Sequence, residues 1–459
     1  MDGQWDIYDN ISPIDYRYWK QKVAEYLSER AFIKYKLLVE LALITVLCRW
    51  KICPPEAVDQ VKSACDKVTA PDVYAEEKRI GHDIRALVNC IRKWIADTIK
   101  RFVHMTATSF DISDTANAAR YRDVVMNVLV PSLVKLEQVL MTLALETANV
   151  RQIGRTHGQH ANPITFGFAI TSYVSRLGEC IEMLKDRAKA LRGKFSGAVG
   201  AYNASGLFFD DPEQFETEVL AEMDLLPAEC STQVVPPEGL IRLMTEVTIA
   251  AGIMANLSDD MRHLQRSEIG EIGEEFQSDQ VGSSTMPQKQ NPINFENVKS
   301  CWKIVVARII TVFMDQISEH QRDLTNSASA RINGETIAYV VAMADRLSNT
   351  MAKMRVNKGN MDRNLAMSRN LGAAEPLYII LSYLGHPDAH EKVRQLTLIA
   401  QQNRSTLEAV ALADPEVEPY FKDMTQHQRS IISDPTQYIG IAPDKAGKVC
   451  RNWQKRLLA

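Results

Sequence analysis

Apolar residues recur at three- and four-residue spacing along almost the whole chain, and no stretch alternates apolar and polar positions convincingly enough to predict a strand. The pattern predicts an all-α protein. It begins at Trp19, after an extended Ser12-Pro13 step, and runs to about residue 105 with breaks at Pro54-Pro55 and Ala70-Pro71. This predicts an N-terminal helical domain over 1–112. Leu37 to Cys48 reads as a buried helix within it, because a run this short, interrupted by Glu40, falls well below the roughly twenty residues that span a bilayer. A Ser/Thr/Asp-rich break, Thr106 to Asp114, closes the region, with Ser113 or Asp114 as the expected N-cap of the next helix.

The segments that follow are longer. Runs over 115–150, 164–194, 237–268 and 293–317 keep a helical period, and Val124, Val128, Leu129, Leu133, Leu136 and Leu140 leave the first of them little polar face. Helices apolar nearly all round must be covered by neighbours, so 113–362 is expected to be a long-helix domain and an oligomer core. Beyond Met361 the helices shorten between Gly385-His386-Pro387, Asp414-Pro415 and Ser433-Asp434-Pro435, which predicts a compact C-terminal helical domain over 363–459.

Charge and composition narrow the function. A net charge of −4 without a long basic run argues against nucleic acid and for a small-molecule substrate. The N-terminal residues lack the basic start and apolar core of a secretory signal, so a cytoplasmic protein that does not engage a membrane is expected. The 8 cysteines, with no Cys-x-x-Cys pair and no histidine at ligand spacing, read as buried or reduced residues rather than as a disulfide framework or metal site.

Two loops carry candidate chemistry. Gly282-Ser283-Ser284-Thr285-Met286-Pro287-Gln288-Lys289-Gln290-Asn291-Pro292 sits between an acidic stretch (Glu268, Glu271, Glu274, Glu275) and a long apolar helix, and offers hydroxyls and one cation on a chain that cannot hold a helix. On composition alone it reads equally as a surface linker or a catalytic lid. Gly154 to Thr165 reads as a second loop between helices. A lone loop histidine is ordinarily a surface residue, but His157 is surrounded by Thr156, Gln159, Asn162 and Thr165, uncharged groups suited to holding a carboxylate or amide. With Glu296 to orient its ring, His157 is a candidate proton donor.

The letters of the first loop resemble the signature of the fumarase/aspartase superfamily, whose members eliminate fumarate from succinyl compounds. Five further stretches agree in order with its adenylosuccinate lyase family: Ser12 to Tyr18, His82-Asp83, Thr108-Ser109 with Asp111-Ile112, Thr156-His157-Gly158-Gln159, and Arg322-Asp323-Leu324 through Ser327 to Arg331. The resemblance spans roughly residues 11 to 440. It implies Ser283 as the base, His157 as the acid with Glu296 as its partner, and Lys289 and Asn291 as holders of the succinyl carboxylates, with Thr108, Ser109 and Thr156. Arg17, Tyr18, Arg322, Ser327 and Arg331 are then implied for the nucleotide phosphate and ribose, with His82 and Asp83 nearby and Gln233 as an amide contact. It further implies no metal or organic cofactor, a purine nucleotide substrate, and a homotetramer whose sites are shared between subunits.

One stretch departs from the family. Where a basic residue and an aspartate commonly follow the glutamine, this chain has Gln233-Val234-Val235-Pro236-Pro237-Glu238, and a proline gives neither charge nor N–H. Elimination of fumarate from adenylosuccinate is the leading expectation. An argininosuccinate lyase, a carboxymuconate cycloisomerase or a non-catalytic structural member are the alternatives at this point.

Overall fold

The computed structural model describes residues 16–276, 285, 286, 288–368 and 372–458. The chain begins with α1 (Gln21–Leu27), the long α2 (Glu29–Arg49), α3 (Glu56–Lys67), α4 (Ala70–Ile80), α5 (Asp83–Arg92) and α6 (Asp97–Lys100). Next are α7 (Ser109–Val124) and α8 (Val130–Glu146), a hairpin of β1 (Arg151–Thr156) and β2 (Gln159–Thr165), α9 (Phe166–Lys189), β3 (Arg192–Gly193), α10 (Pro212–Ala221), β4 (Leu226–Pro227) and α11 (Glu238–Leu264). Then follow β5 (Ile272–Gly273), α12 (Ile293–Met314), α13 (Ile332–Ala352), β6 (Arg355–Val356), α14 (Lys358–Ala366), α15 (Ala374–Tyr383), α16 (Ala389–Asn403), α17 (Leu407–Ala413), α18 (Gln426–Ser433) and α19 (Ala442–Leu458). Helices dominate, as the periodicity predicts.

The chain forms two compact units: Met1–Val134, Glu179–Met254 and Ser300–Asp345 make the first, and Lys135–Gly178, Ala255–Lys299 and Arg346–Ala459 the second. In the first, α2 is the central element. Ser28 caps it by accepting from Ala31 N at 3.1 Å, and Leu37, Val39, Leu43, Ile44, Val46 and Leu47 are buried against α3, α7 and α10. Each such side chain contributes about 1.5–3 kcal/mol by leaving water. The second unit contains a self-sufficient C-terminal core built on Leu377, Leu381, Val393, Leu396, Leu407 and Phe421. Two helical runs, Ser109–Glu146 and Glu238–Leu264, are long and apolar enough to cross a membrane, but 61% and 56% of their most apolar windows are buried inside the protein, as in core helices.

Four local expectations are corrected. The run expected over 115–150 is not one α-helix. Between α7 and α8 the chain makes a wide π turn, Val125–Leu129, in which Val130 N–H reaches Val125 O. Pro131 follows directly, and having no N–H for the carbonyl four residues back, it favours such a local rearrangement. The helix also begins earlier than expected: Thr108 is its N-cap, and the Thr108 N–H donates to Asp111 Oδ2 at 2.8 Å, leaving Ser113 and Asp114 inside it. The described residues include three two-stranded sheets, and one of them takes the place of the loop expected at 154–165. Finally, the turn after α2 brings Cys48 and Cys53 into a disulfide, with Cα atoms 4.8 Å apart.

Glu137, on α8, is fully buried and neither carboxyl oxygen has a hydrogen-bond partner. Burial pushes its pKa up to about 9 from 4.5, so it is neutral in the fold. The unfolded chain releases that proton at much lower pH, so the contribution of the neutral carboxyl is full below about pH 4.5 and is lost as pH rises toward about 9. Glu137→Leu, which is of similar volume, should raise stability by about 1–3 kcal/mol at neutral pH. Urea denaturation should show the gain larger at alkaline than at acid pH.

Candidate functional site

The first unit holds a cleft of about 2600 Å³ whose walls include Tyr18, Asp83, Arg322, Ser327 and Arg331. The other site residues assigned to this unit sit beside wall residues: Arg17 next to Tyr18, His82 next to Asp83, Thr108 and Ser109 before Phe110, and Gln233 between Thr232 and Val234. Helix termini fix several of them. His82 is the N-cap of α5, its Nδ1 accepting from Arg85 N at 3.3 Å, while Asp83 pairs with the nearly buried Lys36 at 3.0 Å. Burial raises the Asp83 pKa, but the Lys36 charge and hydrogen bond together outweigh it and hold the carboxyl low. Tyr18 packs on the buried Tyr339 with ring centroids 5.3 Å apart, and the Arg17 guanidinium lies 5.4 Å from the centre of the Tyr16 ring.

The floor of the cleft is set by α7. Arg322 lies over the Phe110 ring at 3.5 Å, a geometry that suits a weakly hydrated guanidinium. One helical turn on, Asp114 accepts from Val235 N at 2.9 Å and so ties the segment leading to Pro236 and Pro237 against α7. Burial pushes the Asp114 pKa up to about 6, with the Val235 N–H, Lys194 and Arg322 pulling in the other direction. Pro236 and Pro237 both line the cleft, so the position without a cation belongs to the wall. Arg331, largely exposed, pairs with Glu29 at 3.0 Å.

Beneath this floor, Asp111 and Lys194 form an ion pair in which both side chains are fully buried. The remaining valences are used locally: Asp111 accepts from Thr108 N at 2.8 Å and Gly197 N at 3.3 Å, and Lys194 Nζ donates to Gly197 O at 3.1 Å. The pair therefore fixes both the Thr108-Ser109 helix start and the strand that leaves β3.

His157 and Thr156 belong to the second unit. Thr156 pairs with Gln159, leaving His157 and Gly158 as a two-residue hairpin turn, with φ of 53° and 74°. Positive φ at both central residues is the type I′ turn that matches the twist of a hairpin. His157 thus stands exposed at the tip, in a backbone region that few residues other than glycine and asparagine enter readily.

Strand β1 of the hairpin rests on Glu271, a carboxylate with no solvent exposure. Arg155 donates Nη2 to Oε1 at 2.6 Å and Nη1 to Oε2 at 3.2 Å, Gln152 Nε2 reaches Oε2 at 2.7 Å, and Asn364 Nδ2 reaches Oε1 at 2.8 Å. On the other strand His160 Nδ1 meets Ser368 Oγ at 2.6 Å and Asn162 Nδ2 donates to Glu375 at 2.9 Å.

Ser283 lies outside the described residues, but the stem that returns from its loop is described. Glu274 accepts from the backbone N–H of Asn294 at 3.0 Å and of Phe295 at 2.9 Å, so a residue before the loop caps the helix after it. Burial raises the Glu274 pKa, opposed by those donors. Arg355 holds Gln290 at 2.7 Å. Lys289 and Glu296 are exposed and Asn291 is half-buried on this stem. Among the described residues, no hydrogen bond or ion pair joins His157 to Glu296, and no cluster of His, Cys, Asp or Glu could hold a metal ion.

Sequence reasoning missed Phe110, Asp114, Glu271 and the Asp111–Lys194 pair. For Glu271 the only signal was the acidic stretch before the Ser283 loop, which does not separate the buried Glu271 and Glu274 from the exposed Glu268 and Glu275.

Residues 2–307 match the family model described as Lyase, and residues 318–429 the one described as Adenylosuccinate lyase C-terminal. The adenylosuccinate lyase of Archaeoglobus fulgidus is 35% identical, with 98% of this chain and 99% of that one covered. That of Pyrococcus horikoshii is 32% identical, covering 96% and 97%. The solved structure of the 3-carboxy-cis,cis-muconate lactonizing enzyme from Pseudomonas putida superposes with a TM-score of 0.82 at 25% identity, covering 96% of this chain and 98% of that one.

Replacing Lys194 by Met leaves Asp111 buried without its counter-charge. The variant should lose about 3–5 kcal/mol in urea denaturation at neutral pH. Because burial already raises the Asp111 pKa and Lys194 holds it down, removing the lysine raises it further. The deficit should therefore shrink as the buffer is made acidic and the carboxyl takes up a proton.

Proposed function

The chain belongs to the adenylosuccinate lyase family of the fumarase/aspartase superfamily, and on that footing we propose that it eliminates fumarate from adenylosuccinate to give AMP, and from the succinyl-carboxamide ribotide of purine synthesis. It is a C–N lyase. The observation that carries the substrate assignment is likeness over nearly the full length to adenylosuccinate lyases, including the C-terminal family region. The cleft is consistent with it: an Arg-rich wall with a guanidinium laid over an aromatic ring suits a phosphorylated nucleoside, for which guanidinium groups are the strongest partners.

The chemistry follows from the charges that develop. Ser283 removes the proton from the carbon beside a succinyl carboxylate. The electrons left behind make an aci-carboxylate dianion, and Lys289 and Asn291 hold it, with Thr108, Ser109 and Thr156 supplying uncharged donors. As the C–N bond breaks, His157, with Glu296 to orient it, gives a proton to the departing purine nitrogen. Arg17, Tyr18, Arg322, Ser327 and Arg331 hold the phosphate and ribose, with His82 and Asp83 alongside, and Gln233 contacts the substrate as an amide. An exposed acid at the tip of a hairpin does this only when another surface excludes water from it.

That surface is a further copy of the chain. The enzyme is a cytoplasmic homotetramer in which the central region, 113–362, pools its long helices, flanked by regions 1–112 and 363–459. Two observations support this reading. A cleft of about 2600 Å³ exceeds the roughly 300–1000 Å³ of small-molecule sites, so most of its wall awaits protein rather than ligand. Ile310, Met314 and Ile317, at and just beyond the end of α12, are 64%, 68% and 75% exposed, a strongly apolar strip for a monomer.

Purified protein given adenylosuccinate should bleach its absorbance while fumarate appears, and argininosuccinate should be left intact; inertness toward adenylosuccinate would overturn the assignment. Ser283→Ala should lower kcat by about a hundredfold to ten-thousandfold with substrate still bound, as for other positioned acid–base groups. A near-normal kcat would move the base elsewhere.

For the shared site, His157→Ala and Ser283→Ala proteins, each keeping only a small residual activity alone, should regain part of the wild-type activity when denatured and reassembled together. Demonstrably mixed tetramers that show no gain over the single variants would rule out sites built from more than one chain.

A further inference from the structure

We infer that Glu271 is the residue that positions His157 for proton transfer. The inference rests on the reading of His157 as the acid, and it assigns a task to a group that touches neither substrate nor reacting atoms. A two-stranded hairpin is marginal in water by itself, so the direction in which its tip points depends on what holds its strands. Here one carboxylate holds β1 near both of its ends. Arg155, separated from His157 only by Thr156, forks onto both Glu271 oxygens, and Gln152, near the start of the same strand, adds a third donor at 2.7 Å.

The carboxylate is itself immobilised. Asn364 of α14 donates to it at 2.8 Å, the Glu271 N–H donates to Leu264 O at the end of α11 at 2.9 Å, and the Glu271 carbonyl accepts from Asn357 N at 2.9 Å. Asn364 thus fixes the side chain and the ends of α11 and α14 fix the backbone that bears it, and that side chain fixes the hairpin through a bidentate contact. A planar fork on a carboxylate sets direction as well as distance, which a single hydrogen bond does not. With the shell around Glu271 complete and excluded from water, rotation of β1 must break several bonds together. The contacts of His160 with Ser368 and of Asn162 with Glu375 steady the opposite strand at more exposed positions, so they supplement this anchor and do not replace it.

Glu271→Gln keeps the shape of the side chain but turns one acceptor into a donor facing Arg155 or Gln152. The expected result is a folded enzyme in which hydrogen exchange quickens at the amides of 152–164, kcat for adenylosuccinate falls by about a hundredfold, the scale of an ångström-sized misplacement, and KM stays close to that of the wild type. The decisive measurement is the same substitution in a His157→Ala background, where it should cost almost nothing more, because a group acting through His157 has nothing left to act on.

A kcat loss that multiplies with that of His157→Ala, or a folded Glu271→Gln enzyme of normal kcat, would overturn the inference. If Glu271→Gln does not fold, Arg155→Lys tests the same point, keeping the charge but losing the fork, with the same two expectations and the same two refutations. A wild-type enzyme inert toward adenylosuccinate would refute the proposed function instead, so the two failures are told apart by the control.

Discussion

A carboxylate taken out of water must find its donors inside the protein, and the polar elements of this molecule are arranged around three carboxylates that have done so. Asp111 takes Lys194 together with the N–H groups of Thr108 and Gly197. Glu271 takes the fork of Arg155 and the amides of Gln152 and Asn364. Glu274 takes two N–H groups at the start of α12. Each one holds a segment that bears proposed site residues: the Thr108-Ser109 helix start, the His157 hairpin and the Lys289 to Glu296 stem. None of these segments can shift without stranding a buried charge.

The same constraint explains what could be read from the sequence and what could not. Long helices announce themselves because a 3.6-residue period persists over many residues, and α2, α9, α11 and α12 all fall within the expected runs. The hairpin left no such trace. Its strands are short, a bulge between Ile153 and Arg155 breaks the alternation, and Asn162-Pro163 looks like loop chemistry. The cap of α7 was misplaced because Thr108, Ser113 and Asp114 are equally good caps by type. The pairing of Thr108 with an acid three positions on decides among them. The disulfide was invisible because four residues between cysteines match no metal or redox spacing, and only the turn after α2 brings them together.

Site residues were legible to the extent that local motifs mark them. The cleft gathers Tyr18, Asp83, Arg322, Ser327 and Arg331 from distant stretches of the first unit, whereas Phe110 and Asp114, which face Arg322, carry no motif that distinguishes them from helix interior. The proline pair at 236 and 237 shows the reverse. Its lack of charge was evident in the sequence, but only the fold places it on the cleft wall, tied down through Val235 to Asp114. Near that wall the Arg322 charge is offset by Asp114, Asp323 and Asp83.

The wide turn at Val125–Leu129 makes the chain unusually sensitive to length at one place. It houses one residue more per turn than an α-helix, so every side chain beyond it faces a direction about 100° from where an unbroken helix would aim it. Losing a single residue there would let the helix close up and spin the whole of α8 about its axis, carrying Leu133, Leu136 and Leu140 away from the interior. A length change harmless in most surface loops would here exchange the inner and outer faces of a core helix. Related chains that keep this register must keep the extra residue.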